Sequence, residues 1–139
     1  KLAGIGKFFF IGNMAHFPNE IQSLAKDIAQ KSSRRKGMNV ALALSYGGRA
    51  EILSAAEKIR GVKGPLTEKM FSRFLQTRNM PDPDMIIRSG GEQRLSNFLL
   101  WQGAYSELFF TGTLWPEFSK KEFRAMLDEY AHRQKRFGK

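Results

Sequence analysis

Two arginines and a serine are the side chains of this sequence best suited to bind an anion together. Arg88 ends a short apolar run of the kind that forms a buried parallel strand, and a glycine-bearing loop follows it. Arg94 and Ser96 flank the start of a stretch with helical spacing, which predicts a helix over Ser96–Gln102. Two guanidinium groups, a hydroxyl and the N–H groups of a helix start suit a diphosphate better than a single carboxylate.

A plainer interpretation of these residues stays open at this point. Arg88 and Arg94 would be surface charges, and Glu92 would form an ion pair with one of them. Spacing alone does not decide between an anion site and a solvated loop.

Glu107 is a lone carboxylate in the otherwise apolar run from Tyr105 to Phe110. If this run is a strand, Tyr105, Glu107 and Phe109 share one face. A carboxylate on such a face needs a cation, either an arginine or a metal ion. Mg²⁺ takes oxygen ligands and commonly bridges to substrate phosphates, whereas an arginine would make a structural salt bridge.

A second glycine break, Tyr46-Gly47-Gly48-Arg49, follows another apolar run. Its glycines permit positive φ or close backbone approach, and Arg49 either points into a cleft or pairs with Glu51. A simple strand-to-helix turn is the alternative. His16 and His132 lie far apart without a metal-ligand or triad pattern, so we interpret both as structural or surface residues.

The hydrophobic pattern predicts the elements that must position these residues. A mainly parallel α/β sheet flanked by helices, in a single domain of residues 1–139, follows from the alternation of strands and helices. Ligands of such sheets bind beyond the carboxyl ends of the strands, so both glycine breaks should open onto one sheet edge. The predicted strands are Phe8–Ile11, Val40–Leu44 (covered on both faces), Met85–Ile87 and Tyr105–Thr111. The predicted helices follow Pro18, cover Glu51–Arg60, begin after Thr67, cover Ser96–Gln102 and begin at a Ser119–Glu122 capping box, the last one burying Phe123, Met126, Leu127 and Tyr130.

Composition narrows the classes of partner. The formal net charge of +10 favours anionic partners such as diphosphates, nucleic acid or acidic headgroups, although the Lys31–Lys36 cluster also reads as a solvated loop. Cysteine is absent, which excludes disulfides and thiolate metal sites, and no apolar run is long enough to span a membrane. The first residue is Lys1 rather than methionine, which indicates a fragment or a processed form.

Several motifs, in order and with their spacing, resemble the cis-prenyltransferases, whose best-known members are the bacterial undecaprenyl diphosphate synthases. The resemblance covers nearly the whole chain from about Phe8. The motifs that carry it are Arg88-Ser-Gly-Gly-Glu-Gln-Arg94-Leu-Ser96-Asn-Phe-Leu-Leu-Trp101-Gln, Tyr105-Ser-Glu107-Leu-Phe-Phe, Leu114-Trp115-Pro116, Tyr46-Gly-Gly-Arg49 with Glu51-Ile52, and Lys135-Arg136-Phe137-Gly138.

The resemblance implies a Mg²⁺-dependent condensation of isopentenyl diphosphate with an allylic diphosphate such as farnesyl diphosphate. It implies that Arg88, Arg94 and Ser96 bind the isopentenyl diphosphate group and that Glu107 binds the metal. Arg136 and Gly138 match a C-terminal element that reaches toward the partner's site in a homodimer. A cytoplasmic location, with peripheral contact at the inner face of the membrane through the product, is also implied.

The family's N-terminal Asp-Gly-Asn-Gly-Arg-Trp motif, which holds the allylic diphosphate and supplies an essential metal-binding aspartate, does not occur in this sequence. Ser45 and Ser89 also replace the usual asparagine and threonine. We therefore expect the C-terminal portion of the fold, inactive when isolated. Two alternatives are a non-catalytic binding subunit of a heteromeric prenyltransferase and, more weakly, a nucleic-acid-binding domain, since no recognisable module interleaves basic and aromatic residues.

Overall fold

Two pairs of parallel strands organise the described part of the chain. The computed structural model describes residues 6–133. These residues form two compact units, the first ending at Asn79 and the second beginning at Met80, and each unit contains one two-stranded parallel sheet. Parallel strands flanked by helices in both units confirm the predicted α/β class. Within the described residues the strands form two sheets rather than the single sheet that the alternation predicted.

The first unit is built from two strands and three helices. Strand β1 pairs with β2 in parallel, from Gly6 opposite Met38 to Gly12 opposite Leu44. Phe8 and Ile11 of β1 are buried, and the Phe8 N–H donates to Ser32 Oγ over 3.0 Å, which ties the end of α1 to the strand. The elements are β1 (Gly6–Gly12), α1 (Asn19–Ser32), β2 (Met38–Leu44), α2 (Gly48–Ile59) and α3 (Glu68–Ser72), with a short 3-10 turn at Met14–His16.

The structure confirms the prediction that Thr67 caps helix α3. Thr67 Oγ1 accepts a hydrogen bond of 3.1 Å from the Met70 N–H, which satisfies one of the free donors of the helix start. The helical spacing after Thr67 predicts burial of Met70, Phe71, Phe74 and Leu75, and of these Phe71 and Leu75 are buried. The cap is therefore confirmed and the buried positions are confirmed in part, although the helix spans only five residues.

Strand β2 differs from its prediction. Its continuous apolar sequence indicated a strand covered on both faces, but no residue of β2 is buried, and Met38 and Leu42 are exposed. Burial requires neighbouring elements, and within the first unit β2 pairs with β1 alone. The prediction of a covered strand was wrong for the described residues.

The second unit positions the candidate site. Strand β3 (Met85–Arg88) pairs in parallel with β4 (Glu107–Phe110), so that Met85 lies opposite Glu107 and Arg88 opposite Phe110. A 3-10 turn follows at Trp115–Glu117, and helix α4 covers Lys120–His132. None of the helices in residues 6–133 is long and apolar enough to cross a membrane.

Two features of the second unit contradict the sequence-based prediction. Residues 96–102 form turns instead of a helix, and Ser96, Asn97 and Leu99 have φ values of 48°, 68° and 44°, in the left-handed region that an α-helix excludes. Helix α4 has no buried residue, and Phe123 and Leu127 are 43% exposed, so its apolar face is only partly covered.

The start of α4 uses half of the predicted capping box. Ser119 Oγ accepts a hydrogen bond of 3.1 Å from the Glu122 N–H, as predicted. The Glu122 carboxylate instead accepts a hydrogen bond of 2.5 Å from the Thr111 hydroxyl, which lies just after β4. Glu122 therefore links α4 to β4.

Candidate functional site

Arg88 gathers the predicted anion-binding residues at the end of β3. Its Nη1 donates a hydrogen bond of 2.8 Å to Ser96 Oγ and a second one to the carbonyl oxygen of Arg94. The Ser96 oxygen accepts from Arg88, so its own O–H remains able to donate to a ligand. Within residues 6–133, both side-chain hydrogen bonds of Arg88 use Nη1, which leaves the Nε–Nη2 edge of the guanidinium for an anion.

The Arg94 side chain lies in an exposed ion pair. Its Nη1 contacts Glu92 Oε2, and the two side chains are 61% and 50% exposed. This contact is the surface pairing that the plainer interpretation of the sequence predicted. Exposed pairs of this kind contribute about 0.2–1 kcal/mol, so a diphosphate can compete with Glu92 for the guanidinium.

The loop glycines do not supply backbone donors to an anion. The Gly90 and Gly91 N–H groups donate to the carbonyl oxygens of Thr113 and Thr111 over 3.0 and 2.8 Å. Both glycines have positive φ, 92° and 84°, which turns the chain back against the segment after β4. Because residues 96–102 form no helix, the predicted N–H groups of a helix start are also missing. Side chains therefore carry the positive charge of this site.

A cavity of about 310 Å³ lies beside these side chains. Arg88, Arg94 and Ser96 line its polar side, and the other lining residues are Ile86, Ile87, Leu95 and Phe98. An apolar pocket with a few convergent polar groups is the usual form of a small-ligand site. The structure thus brings the three residues predicted from spacing to one cavity.

Glu107, the first residue of β4, is bound to an arginine. Arg133 Nη1 lies 2.9 Å from Glu107 Oε2, and the side chains are 32% and 25% exposed. The same nitrogen donates to the Leu108 carbonyl oxygen over 3.3 Å. The salt-bridge alternative for Glu107 is therefore present in this structure.

Arg133 follows the last residue of α4 and is held from several directions. Its Nη2 lies 2.5 Å from Glu129 Oε1, and its guanidinium carbon lies 3.9 Å from the centre of the Phe109 ring. Hydrogen bonds to Glu129 and then to Glu107 raise the pKa of Arg133 above its ordinary value. A group whose folded-state pKa is raised keeps its stabilising charge below the unfolded pKa, so this ion pair persists at neutral pH.

Glu107 can supply one ligand to Mg²⁺. Mg²⁺ is commonly held by one or two carboxylates together with substrate phosphates and water. Among residues 6–133, no group of three or more histidine, aspartate or glutamate side chains is arranged to hold a metal ion. Arg133 bonds to Glu107 Oε2, and none of the described residues donates a hydrogen bond to Glu107 Oε1. The donor set therefore fits a single carboxylate ligand, with the remaining ligands coming from elsewhere.

The other candidate residues have structural surroundings. The Tyr46 hydroxyl donates to Glu51 Oε2 over 2.5 Å, and the Gln76 N–H donates to Glu51 Oε1 over 2.7 Å. Glu51 is 3% exposed, so the glycine break after β2 is anchored to a buried carboxylate inside the first unit. Helix α2 covers Gly48–Ile59 and so begins three residues before the predicted start at Glu51, and the glycine break is the strand-to-helix turn that the sequence left as an alternative.

The two histidines are both engaged in local hydrogen bonds. His16 Nδ1 lies 2.7 Å from Ser45 Oγ, and His16 Nε2 lies 2.9 Å from Asn13 Nδ2. His132 Nδ1 donates to the Asp128 carbonyl oxygen over 2.6 Å. Arg136 and Gly138 lie outside the described residues.

Comparison with known proteins decides the family. Residues 5–138 match a family model described as "Putative undecaprenyl diphosphate synthase". The chain belongs to the cis-prenyltransferase family. It is 42% identical over 132 residues to the isoprenyl transferase of Wolinella succinogenes, covering 95% of this chain and 58% of that protein. It is 41% identical to the isoprenyl transferase of Aquifex aeolicus over 141 residues, covering 100% of this chain and 61% of that one.

Solved cis-prenyltransferase structures share the fold. The lavandulyl diphosphate synthase of Lavandula x intermedia, solved with dimethylallyl diphosphate, superposes with a TM-score of 0.90 at 37% identity. That match covers 96% of this chain and 60% of the other. A probable undecaprenyl diphosphate synthase of Campylobacter jejuni gives a TM-score of 0.87 at 34% identity, covering 96% of this chain and 63% of that one. The chain thus spans about three-fifths of the length of these cis-prenyltransferases.

Among residues 6–133, Arg133 is the residue of this site that the sequence did not predict. The C-terminal motif Lys135-Arg136-Phe137-Gly138 pointed to Arg136 and Gly138 instead. The available signal was the spacing of Glu129 and Arg133, an i, i+4 pair at the end of a predicted helix. That pairing, however, does not reveal the contact with Glu107, which depends on how α4 packs against β4.

Proposed function

We propose that this chain supplies the isopentenyl diphosphate half of a cis-prenyl transfer site. In the proposed reaction, isopentenyl diphosphate condenses with an allylic diphosphate of the farnesyl type to give a cis-polyprenyl diphosphate. A product of the undecaprenyl type would act as a lipid carrier for cell-wall synthesis. The observation that carries the proposal is the Arg88–Ser96 hydrogen bond, which collects two arginines and a hydroxyl around one cavity.

In this proposal Arg88 and Arg94 bind the diphosphate of the isopentenyl substrate. Arg88 presents its Nε–Nη2 edge, Arg94 leaves Glu92, and the Ser96 hydroxyl donates a further hydrogen bond. A diphosphate carries more negative charge than one carboxylate and can accept hydrogen bonds from Arg88, Arg94 and Ser96 together, so exchanging Glu92 for diphosphate is favourable. The apolar residues of the cavity, Ile86, Ile87, Leu95 and Phe98, would contact the hydrocarbon part of the substrate.

Glu107 is proposed as one ligand of Mg²⁺. When bound, Mg²⁺ would neutralise diphosphate charge and so assist loss of the allylic diphosphate. The double bond of the isopentenyl unit forms a bond to the allylic carbon as the C–O bond to the allylic diphosphate breaks, and the resulting carbocation loses a proton to the released diphosphate to give the lengthened product. The chain's own contribution is to hold and orient the isopentenyl diphosphate during this step.

The allylic half of the site is proposed to come from outside this chain. About two-fifths of the length of the relatives lies outside the part that this chain matches, and the sequence lacks the family motif for the allylic diphosphate. We further propose a homodimer in which Arg136 and Gly138 reach the partner's site, and a cytoplasmic location with product release at the inner face of the membrane. These proposals rest on the family resemblance of the sequence.

The test compares the 139-residue chain with an extended form. The extended form joins the N-terminal two-fifths of the Wolinella relative to this chain, and both proteins receive farnesyl diphosphate, labelled isopentenyl diphosphate and Mg²⁺. We expect negligible prenyl transfer by the chain alone and measurable product from the extended form. Isopentenyl diphosphate binding by the chain alone is measured in parallel by calorimetry.

Three results would count against the proposal. Robust turnover by the isolated chain would show that the allylic half is already present. No binding of isopentenyl diphosphate by the folded chain would remove the half-site. Binding that survives both Arg88→Ala and Arg94→Ala would place the diphosphate elsewhere.

A further inference from the structure

We propose that Arg133 is a positioning residue for the metal-binding carboxylate of Glu107. This inference rests on the proposed function, because it assumes that Glu107 Oε1 is a Mg²⁺ ligand. Arg133 would hold Oε2 and so present Oε1 in one orientation. Arg133 itself would contact neither metal nor substrate.

The geometry around Arg133 fits such a role. Its Nη1 bonds to Glu107 Oε2 over 2.9 Å, its Nη2 bonds to Glu129 Oε1 over 2.5 Å, and its Nε donates to the same Glu129 oxygen over 3.2 Å. The guanidinium also lies over the Phe109 ring at 3.9 Å. Because Phe109 shares the β4 face with Glu107, the planar group is fixed against the strand that carries the carboxylate.

The contact with Arg133 leaves Oε1 of Glu107 available for a metal ion. Arg133 bonds to Oε2, whereas Oε1 accepts no hydrogen bond from the residues that the structure describes. Mg²⁺ needs only one oxygen from such a carboxylate when phosphates and water complete its shell. The arginine and the metal can therefore bind the same carboxylate at the same time.

The local charge also permits a divalent cation. One guanidinium lies between two carboxylates, Glu107 and Glu129, so the three groups together carry a net charge of −1. Without Glu129, Arg133 would cancel the charge of Glu107 and weaken its attraction for Mg²⁺. Glu129 thus lets Arg133 orient Glu107 while the cluster remains negative.

The role has a measurable consequence. Hydrogen-bonded partners of metal ligands typically change metal affinity by about 10- to 100-fold when they are removed. We expect Arg133→Ala to weaken metal binding by a factor in this range. Arg133→Lys, which keeps the charge but loses the planar fork, should recover part of the loss.

The experiment titrates Mn²⁺ into the extended form, in which the N-terminal two-fifths of the Wolinella relative is joined to this chain, with saturating isopentenyl diphosphate, and follows free Mn²⁺ by electron paramagnetic resonance. The variants are Glu107→Gln, Arg133→Ala, Arg133→Lys and the double variant Glu107→Gln/Arg133→Ala. Arg124→Ala, an exposed arginine on the same helix, is the matched control for loss of one positive charge. Thermal unfolding of each variant shows whether it remains folded, and Arg133→Lys replaces Arg133→Ala if the latter does not.

Non-additivity identifies positioning through Glu107. The inference predicts weaker Mn²⁺ binding in Arg133→Ala, no change in Arg124→Ala, and no further loss when Arg133→Ala is added to Glu107→Gln. If Glu107→Gln weakens binding but neither Arg133 variant does, or if the losses add, Arg133 has no positioning role and the proposed function stands. If Mn²⁺ binding is absent or independent of Glu107, the metal assignment fails and this inference fails with it.

Discussion

Arg88 Nη1 donates a hydrogen bond of 2.8 Å to Ser96 Oγ, which joins the end of strand β3 to a turn eight residues later. The two residues differ strongly in backbone conformation. Arg88 is in an extended strand, whereas Ser96 has a φ of 48°. The relationship therefore depends on the fold of the intervening loop as well as on the two residue types.

Removing Arg88 should weaken isopentenyl diphosphate binding more than removing the Ser96 hydroxyl. Arg88→Ala deletes a charged donor and the group that holds Ser96, and the loss should be about 1.5–3 kcal/mol, or roughly 10- to 150-fold. Ser96→Ala should cost about 0.5–1.5 kcal/mol. Calorimetric titration of the chain measures both. Arg60→Ala, an exposed arginine in the first unit, should leave the affinity within about twofold once charge screening is matched.

Removing the competing carboxylate of Glu92 should strengthen the same binding. Glu92→Gln frees Arg94 from its exposed ion pair, which amounts to about 0.2–1 kcal/mol, or up to roughly fivefold in affinity. The gain should shrink as salt is added, because the pair is screened. Glu57→Gln makes the same charge change at an exposed position of helix α2 and serves as the control. Equal gains in both variants would mean that net charge, and not release of Arg94, is responsible.

The buried carboxylate of Glu51 should contribute to the stability of the first unit. Glu51→Ala removes the acceptor of the Tyr46 hydroxyl and of the Gln76 N–H, and a buried donor left without its acceptor costs about 1–3 kcal/mol. We expect a fall in the free energy of unfolding of at least this size in urea denaturation. Glu57→Ala, six residues along the same helix and exposed, should change it by less than about 0.5 kcal/mol. A similar small effect for Glu51→Ala would show that these bonds contribute little.

Adding a side chain at Gly91, in the loop after β3, should lower the stability of the protein because the backbone there is left-handed. Gly91 has a φ of 84° and open space where a Cβ would lie, so Gly91→Ala meets a conformational penalty without a clash. That penalty is about 1–2 kcal/mol for the left-handed region. Gly61→Ala is the control, since Gly61 also has open space but no positive φ. Urea denaturation should separate the two variants, and equal stabilities would contradict the backbone conformation described for Gly91.

The parts of the fold that could be predicted from sequence are those governed by local chemistry. Thr67 and Ser119 cap their helices because a side-chain oxygen next to a helix start needs no distant partner. The parallel strands follow from short apolar runs alternating with amphipathic segments. The residues Arg88, Arg94 and Ser96 reach one cavity because they are close in sequence.

The failures all involve packing between distant segments. Residues 96–102 have helical spacing, yet Ser96, Asn97 and Leu99 adopt positive φ, so local propensity did not decide that segment. The apolar side chains of α4 were predicted to be buried, but none is buried in the structure. The sequence leaves open whether Glu107 binds a metal ion or an arginine. Its contact with Arg133, twenty-six residues away, has no local sequence signal.

Strand β2 has a practical consequence for every experiment on this chain. It presents unburied apolar side chains such as Met38 and Leu42, and among residues 6–79 it pairs with β1 alone. An exposed apolar strand with an unpaired edge is a template for pairing with other molecules. Self-association of the isolated chain would then be explained by non-native pairing through β2 as well as by a native homodimer. A dimer seen with the 139-residue chain therefore becomes informative only if a charged substitution such as Leu42→Lys leaves it intact.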